Sequence, residues 1–509
     1  MLVEPLRDLG TAHPTLAAVV AATAATVMLL LIYTHNPLAK SHYPYVGVNS
    51  NHRVLKGIRQ RLHWFKYGPR LIHSSFNKFP NAIFTLPSLN HTSIVLPPRH
   101  LQEIRDLPRD IASNSHATSD FFVGNWTSLD YDIFGHATIN AIKTQYIAKI
   151  GQQIEPAANE AAYAFHKHFG SYDEYTPLKA QPEILQLVSQ MVARTIIGTD
   201  IYRDPEWVPA VIGYAQNIFQ CAVYLKLMPD FARPFVAFFT PYRWRIEQCR
   251  RTIRRLARPV IQQKMAWAQD RPESWKAHTS SPEESSIYMI AHRLTGVSFG
   301  AAHTTSNTIT NALIDLASDF ERWAPPLRQE IQEVLGGDTA GMTNADLSKM
   351  WLLDSFLKES QRFHPPSKLS INRKMMKDHT LSTGDVLPKD AHVCFAGVPM
   401  SMSEDYFDKS EEFDGFRFER LRREGEKDQN GLQFTSAYGG SLHFGHGRYM
   451  CPGRFMGSLI SKLLLIEILQ RYDLKLSSVG RPENIMFFDI DIPNPEYEIL
   501  FKDRVVATT

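Results

Sequence analysis

A single cysteine stands at the end of a glycine-rich loop. The stretch Phe444-Gly445-His446-Gly447-Arg448-Tyr449-Met450-Cys451-Pro452-Gly453 places Cys451 just ahead of a strong helical pattern, Phe455 to Leu469. Its glycines let the backbone curl close to a large flat group. Donors at the helix start and nearby Arg448 favour a thiolate, and a thiolate is a strong axial donor to haem iron that pushes electron density onto bound oxygen. Three plainer readings use the same residues. A phosphate cradle needs a third glycine where Met450 stands, a zinc site has only His443, His446 and Cys451, and a surface loop carries its cysteine incidentally.

Two further groupings have spacing with chemical meaning. Glu359-Ser360-Gln361-Arg362 puts an acid and a base on one helical face ahead of Pro365, which alone is a surface pair worth a few tenths of a kcal/mol. Gly300-Ala301-Ala302-His303-Thr304-Thr305 sets small residues and hydroxyls in the middle of a long apolar run. Thr304 there either moves protons or bonds the carbonyl one turn back.

Together these segments resemble those of the cytochrome P-450 family. The loop is similar to its haem-binding signature, with Phe444, Gly447, Arg448, Cys451 and Gly453 around the cofactor. Tyr449 stands where the family usually has Arg or His, so a propionate contact falls to Arg448 or another residue. Arg373, on a strand, resembles a propionate-binding arginine, a role suited to bidentate carboxylate recognition. His136 and Lys143 sit on a helix near the haem edge, although a solvated face explains them equally well. Glu359 and Arg362 look like the family's Glu-x-x-Arg motif, and Phe413 to Phe418 looks like the segment that supplies a second arginine, Arg417. A buried network of the three would cost about 3 to 5 kcal/mol to break. Gly300 to Thr305 is similar to the oxygen-binding segment, with Thr304 as proton relay and His303 in place of a commoner Asp or Glu, which changes the proton route and its pH dependence.

The resemblance implies heme b held by Cys451, with NADPH used indirectly through an NADPH-cytochrome P-450 reductase, and cytochrome b5 as a further donor. It implies insertion of one oxygen atom from O2 into a small lipophilic substrate. Overall texture is closest to fungal microsomal enzymes of secondary-metabolite biosynthesis, which points to a terpenoid or indole-alkaloid intermediate. The pocket is expected from Phe121 to Phe134, Leu294 to Thr305, Pro366 to Ile371 and Met486 to Phe488. The rivals are a haem-thiolate enzyme that rearranges, dehydrates or couples without net oxygen insertion, and a non-catalytic haem-binding sensor.

The elements that position these residues follow from the rest of the chain. With 44% apolar and 21% charged residues among 509, it has the balance of a folded protein. The +3 formal charge, from 55 basic and 52 acidic residues, is no footprint for nucleic acid. Four scattered cysteines give neither a disulfide framework nor a zinc site. Roughly 19 uncharged residues from Thr15 to Tyr33 are close to the ~20 that cross a membrane as a helix. Basic residues after that run place the body in the cytosol, which suits a single-pass protein of the endoplasmic reticulum membrane in contact with lipid. A cleaved signal with Ala22-Thr23-Ala24 as its site is the alternative. The sequons at Asn90 and Asn125 are expected to stay unmodified in the cytosol.

The expected organisation is a short lumenal N-terminus (1–14), an anchor (15–33), a linker (34–50) and a catalytic domain (51–509). Short strands are expected at Ala82 to Leu86, Ser93 to Leu96 and His392 to Phe395, with a hairpin from Thr380 to Leu387. A helix capped by Ser281-Pro282-Glu283-Glu284 runs to Leu316, and another, Leu347 to Phe363, stops at Pro365-Pro366. The fold class is mostly α, an α+β body with small sheets at one side.

Overall fold

The computed structural model describes residues 42–47, 56–89, 91–198, 201–228, 232–269, 286–337, 339, 341–425, 430–487 and 489–505. The expected membrane segment 15–33, the cap at Ser281 and the sequon at Asn90 lie outside these. Among the described residues no helix is long and apolar enough to cross a membrane.

The axis of the molecule is the helix Ile287–Ser318, 32 residues long and so about 48 Å from end to end. Its start is set by Ser286, whose side chain accepts from the Met289 N–H and so satisfies one of the first-turn donors that have no partner within a helix. The helix joins two apolar cores. Its first half gives Ala291 and Phe299 to a cluster with the helices Trp207–Leu227 and Pro241–Gln269. Its second half gives Ile309 to Ala317 to a larger cluster built on Trp351–Phe363 and Arg454–Arg471. Gly300 to Thr305 therefore falls at the junction.

Arg454–Arg471 is buried on nearly every side between Ser458 and Leu469, as expected of a helix with apolar residues around its whole circumference. The pattern Leu347 to Phe363, expected as one helix, is two: Asn344–Lys349 and Trp351–Phe363, broken at Met350. The carboxylate of Glu330 makes the break, accepting from the Leu352 and Leu353 N–H groups at 2.7 and 2.9 Å. It thus caps the second helix from a distant part of the chain.

A five-stranded sheet carries the remaining site residues. Phe84–Pro87 and Thr92–Val95 form an antiparallel pair, His392–Phe395 runs parallel to the second, Ser370–Met375 follows antiparallel, and Ala112–Ser113 closes the far edge. The expected hairpin is present as His379–Thr380 paired with Val386–Leu387, with Gly384 at φ +88° in its turn. A second hairpin, Ile485–Phe487 with Ile490–Ile492, touches the sheet's approach through the bridge between Ser367 and Ile490.

Candidate active site

The cysteine loop is folded by its own backbone. The Cys451 N–H donates to the Phe444 carbonyl at 2.8 Å, and the Gly445 N–H to that of Leu442 at 2.8 Å. Gly445 and Gly447 hold φ of +77° and +72°, and a Cβ on Gly447 would also meet Asp106 and Arg105, so both positions call for glycine. Cys451 is accessible, yet protein surrounds it closely enough that burial raises its thiol pKa. The Gly453 N–H and the charge of Arg454 oppose this rise. The cation that favours the thiolate is Arg454, whose Nη1 donates to the Cys451 carbonyl at 3.0 Å. Arg448, expected in that role, is exposed and lies against Tyr449 instead.

Across from this loop runs the junction of the central helix. A Cβ on Gly457 would lie 3.6 Å from Thr305 Oγ1, so the helix that follows Cys451 meets the central helix one residue from Thr304. Thr304 is exposed while Ala302, Thr305 and Ser306 are buried. Its hydroxyl donates to the Gly300 carbonyl at 2.6 Å, the back-bonded arrangement, which leaves the oxygen's lone pairs as acceptors. His303 has a buried Nε2 without a partner, and burial lowers its pKa to about 4. Aromatic rings line the approach. Phe122 lies edge-on to Phe219 and Phe299 at 5.3 Å each, and Phe219 is 6.5 Å from the His303 ring.

Of the expected pocket segments, 121–134 and 294–305 meet through these rings and through Gly296 against Ile133. The segment 366–371 meets the second hairpin, with Ser367 Oγ donating to Asp489 at 2.7 Å. The side chains of Phe487 and Phe488 lie outside the described residues.

Beside the cysteine loop, positive charge accumulates around one ring. The guanidinium carbons of Arg109, Arg373 and Arg448 lie 5.4, 5.4 and 5.7 Å from the centroid of Tyr449. This explains the tyrosine as a cation–π platform. Arg373 is 2% exposed and its Nε has no partner. Burial lowers the Arg373 pKa to about 10, with Arg109 adding to the shift. Lys143 Nζ donates to the Arg448 carbonyl at 3.3 Å, and burial, then Arg454, Arg109 and Arg448, lower its pKa. Among the described residues none of these four cations forms a salt bridge. His136 is exposed and bonds to Asn140, apart from this cluster.

The sequence profile of cytochrome P-450 matches residues 138–502. This chain belongs to the cytochrome P-450 family. It is 30% identical to the cytochrome P-450 monooxygenase janP of Penicillium janthinellum, over 94% of each chain. Identity to paxP of Penicillium paxilli is 32% over 88% of each, and to braC of Annulohypoxylon truncatum 31% over 94% of this chain and 97% of that one. The solved structure of retinoic acid bound cyanobacterial CYP120A1 shares the fold, with a TM-score of 0.62, 15% identity, and 85% and 93% of the two chains covered.

Cytochromes P-450 bind haem through a cysteine thiolate, and the residues here fit that group. Haem carries two carboxylates, and the cations about Tyr449, with a buried guanidinium Nε unpaired, are charge waiting for an anionic partner. Lys143 joins this cluster, whereas His136 does not. The Glu-x-x-Arg motif is fully buried, with Glu359 0%, Arg362 1% and Arg417 7% exposed. Arg362 grips Glu359 through Nε and Nη2 at 2.8 and 2.7 Å, and Arg417 Nε reaches the same carboxylate at 3.1 Å. Arg362 also donates to the carbonyls of Ser401 and Ser410 at 2.9 and 2.6 Å. Its surplus donors therefore pin the chain that leads to the cysteine loop.

Sequence reasoning missed Lys358. It is fully buried and donates to the carbonyls of Gly431, Gln433 and Ser436 at 2.8, 2.7 and 2.6 Å. His443 Nε2 then donates to the Phe434 carbonyl of the same segment at 2.9 Å, one residue before Phe444. A lysine at that place in a helix gives no signal of its own, since the carbonyls it gathers are some 70 residues away.

Proposed function

We propose that this cytochrome P-450 inserts one oxygen atom from O2 into a lipophilic natural-product intermediate of terpenoid or indole-alkaloid type, with electrons from NADPH through a membrane reductase. The observation that carries this reading is the accessible Cys451, on a loop whose following helix packs Gly457 against Thr305, beside Thr304. Haem bound there supplies reductive activation of O2. In our assignment Cys451 would hold the haem iron through its thiolate, and Phe444, Gly447 and Gly453 would shape the loop around the group. Arg373, with Arg109, Lys143 and Arg448, takes its carboxylates. Thr304 accepts or passes a proton through the lone pairs left free by its bond to Gly300. Burial holds His303 neutral at physiological pH, so one ring nitrogen keeps its hydrogen as a donor and the other is an acceptor. Glu359, Arg362 and Arg417 keep the cysteine side rigid.

The aromatic lining of Phe122, Phe219 and Phe299 supports an apolar, ring-rich substrate. The similarity to fungal cytochrome P-450 monooxygenases supports oxygen insertion as the reaction. An anchor at 15–33 and a cytosolic body at the endoplasmic reticulum are supported by the apolar run and the basic residues after it. They are also supported by an exposed aromatic patch of Phe235, Phe238, Phe239 and Trp244. Rings of this kind rarely face water together unless a partner or membrane covers them. A cytosolic body leaves the sequon at Asn125 unmodified.

The carbon monoxide difference spectrum of the reduced protein tests the assignment. Wild type is expected to give the long-wavelength Soret band of a thiolate-ligated haem, and Cys451→Ala to lose it. No haem signal in folded wild type would overturn it. Label from 18O2 in the product, dependent on NADPH and reductase, separates oxygen insertion from a rearrangement and from a sensor.

A further inference from the structure

Gln361 stands between Glu359 and Arg362 on the helix Trp351–Phe363 and is 2% exposed. Its amide Nε2 donates to Thr308 Oγ1 on the central helix. Thr308 is buried too, and its Oγ1 donates to the Thr304 carbonyl at 2.9 Å. Thr304 Oγ1 in turn donates to the Gly300 carbonyl at 2.6 Å. One chain of hydrogen bonds thus runs from the Glu-x-x-Arg helix to the turn that carries the Thr304 hydroxyl.

The hydroxyls fix the direction of this chain. A threonine hydroxyl has one hydrogen. That of Thr308 points to the Thr304 carbonyl, so the Gln361 group that faces its oxygen must be a donor, which orients the amide. Threonine in a helix has two open rotamers, and two threonines bonded back one turn apart bend and loosen the helix that holds them. The Gln361 N–H, arriving from outside that helix, selects the Thr308 rotamer that serves Thr304. Stability does not account for an amide at this place. Gln361 Oε1 is buried without a partner among the described residues, an arrangement that an apolar side chain of the same shape avoids.

The same helix grips the central helix a second time. Ser360 Oγ donates to Asp315 at 2.6 Å, two turns beyond Thr308. That carboxylate is also held by Arg481 at 2.6 Å and by His364 at 3.4 Å. The far grip is therefore shared, whereas the near one, a single turn from Thr304, rests on Gln361 among the described residues.

We infer that Gln361 is a positioning residue for Thr304: acting through the Thr308 hydroxyl, it holds the turn from which the Thr304 hydroxyl reaches the site. This rests on the monooxygenase reading and adds a residue that touches no reacting atom. A misplacement of about 1 Å can cost roughly 100-fold in rate, so a proton-handling hydroxyl on a loosened turn needs such a hold.

The test uses carbon monoxide, whose stretching frequency on haem reports the hydrogen-bond donors around it, together with amide hydrogen exchange of residues 300–308, both in the haem-loaded protein. Gln361→Met keeps the length of the side chain and loses the donor. Thr308→Val removes the hydroxyl it acts through and keeps the comparison available if Gln361→Met does not fold. Ser360→Ala releases the far grip and is the control for a merely structural effect. Wild type is expected to give one narrow carbon monoxide stretch, which splits in Gln361→Met and in Thr308→Val but not in Ser360→Ala. Exchange at 300–308 is expected to become about tenfold faster in the first two alone. The double variant should match either single one, and in Thr304→Ala the stretch should no longer respond to Gln361→Met. A band already split in wild type, a band unchanged in Gln361→Met, an equal response in Ser360→Ala, or a response that persists in Thr304→Ala overturns the positioning role, while the long-wavelength Soret band leaves the monooxygenase reading standing. Absence of that Soret band in wild type overturns both.

Discussion

At the scale of single residues, the site is decided by how polar atoms are left after folding. His303 is held neutral, its pKa lowered by burial from 6.5 to about 4. In that window the unfolded chain binds the extra proton and the fold does not, so His303 contributes stability above pH 6.5 that is lost as pH falls toward 4. The loss is on the order of 3 kcal/mol. Urea midpoints measured from pH 7 to pH 4 are expected to show a shallower acid slope in His303→Phe than in wild type. For the same reason the pH–rate profile near neutrality is expected to lack a break that His303→Ala removes. Both outcomes follow from the substitution of His for a commoner Asp or Glu, which sequence alone flagged without assigning its charge.

At the scale of elements, the contacts that matter join segments distant in the chain. Replacing Glu359 by Gln leaves Arg362 and Arg417 buried without their shared counter-charge, which is expected to cost about 3 to 5 kcal/mol; the urea midpoint of the haem-loaded protein reads it. Glycines on the central helix give a finer test. A Cβ at Gly296 would collide with Ile133, whereas one at Gly300 would sit at 3.7 Å from Phe134, in ordinary contact. Gly296→Ala is expected to destabilise by about 1 to 3 kcal/mol and Gly300→Ala by much less, as seen in thermal melts of the pair. What the sequence made legible at this scale was local: the loop and helix around Cys451, the Glu359–Arg362 spacing, the hairpin about Gly384. What it hid was supplied from afar. The break at Met350 comes from Glu330 and the loop's support from Lys358. No periodicity within a segment records a partner that arrives from elsewhere; the cation beside the thiolate, by contrast, is local, Arg454 three residues after Cys451 rather than Arg448 before it.

At the scale of the whole molecule, two cores meet on one long helix, and the chemistry sits where neither core fills the space. The exposed rings are grouped on the side of the first core, with Phe235 69%, Phe239 78% and Trp244 58% exposed. Changing Phe235, Phe238 and Phe239 together to Ser is expected to lower binding of the catalytic body to phospholipid vesicles several-fold, in a co-sedimentation assay, while the carbon monoxide band is retained. The ring of cations about Tyr449 has a different reach. Asp106 reaches only the Arg448 backbone N–H and is paired with Arg105, so the like charges repel one another and an arriving anion relieves that repulsion. The polypeptide before it takes up haem is therefore the form most sensitive to its ionic surroundings. Its melting temperature should climb as sulfate is added, while that of the loaded enzyme, already neutralised from within, should hardly respond. Tyr449 and its arginines thus tie the stability of the fold to the arrival of an anion.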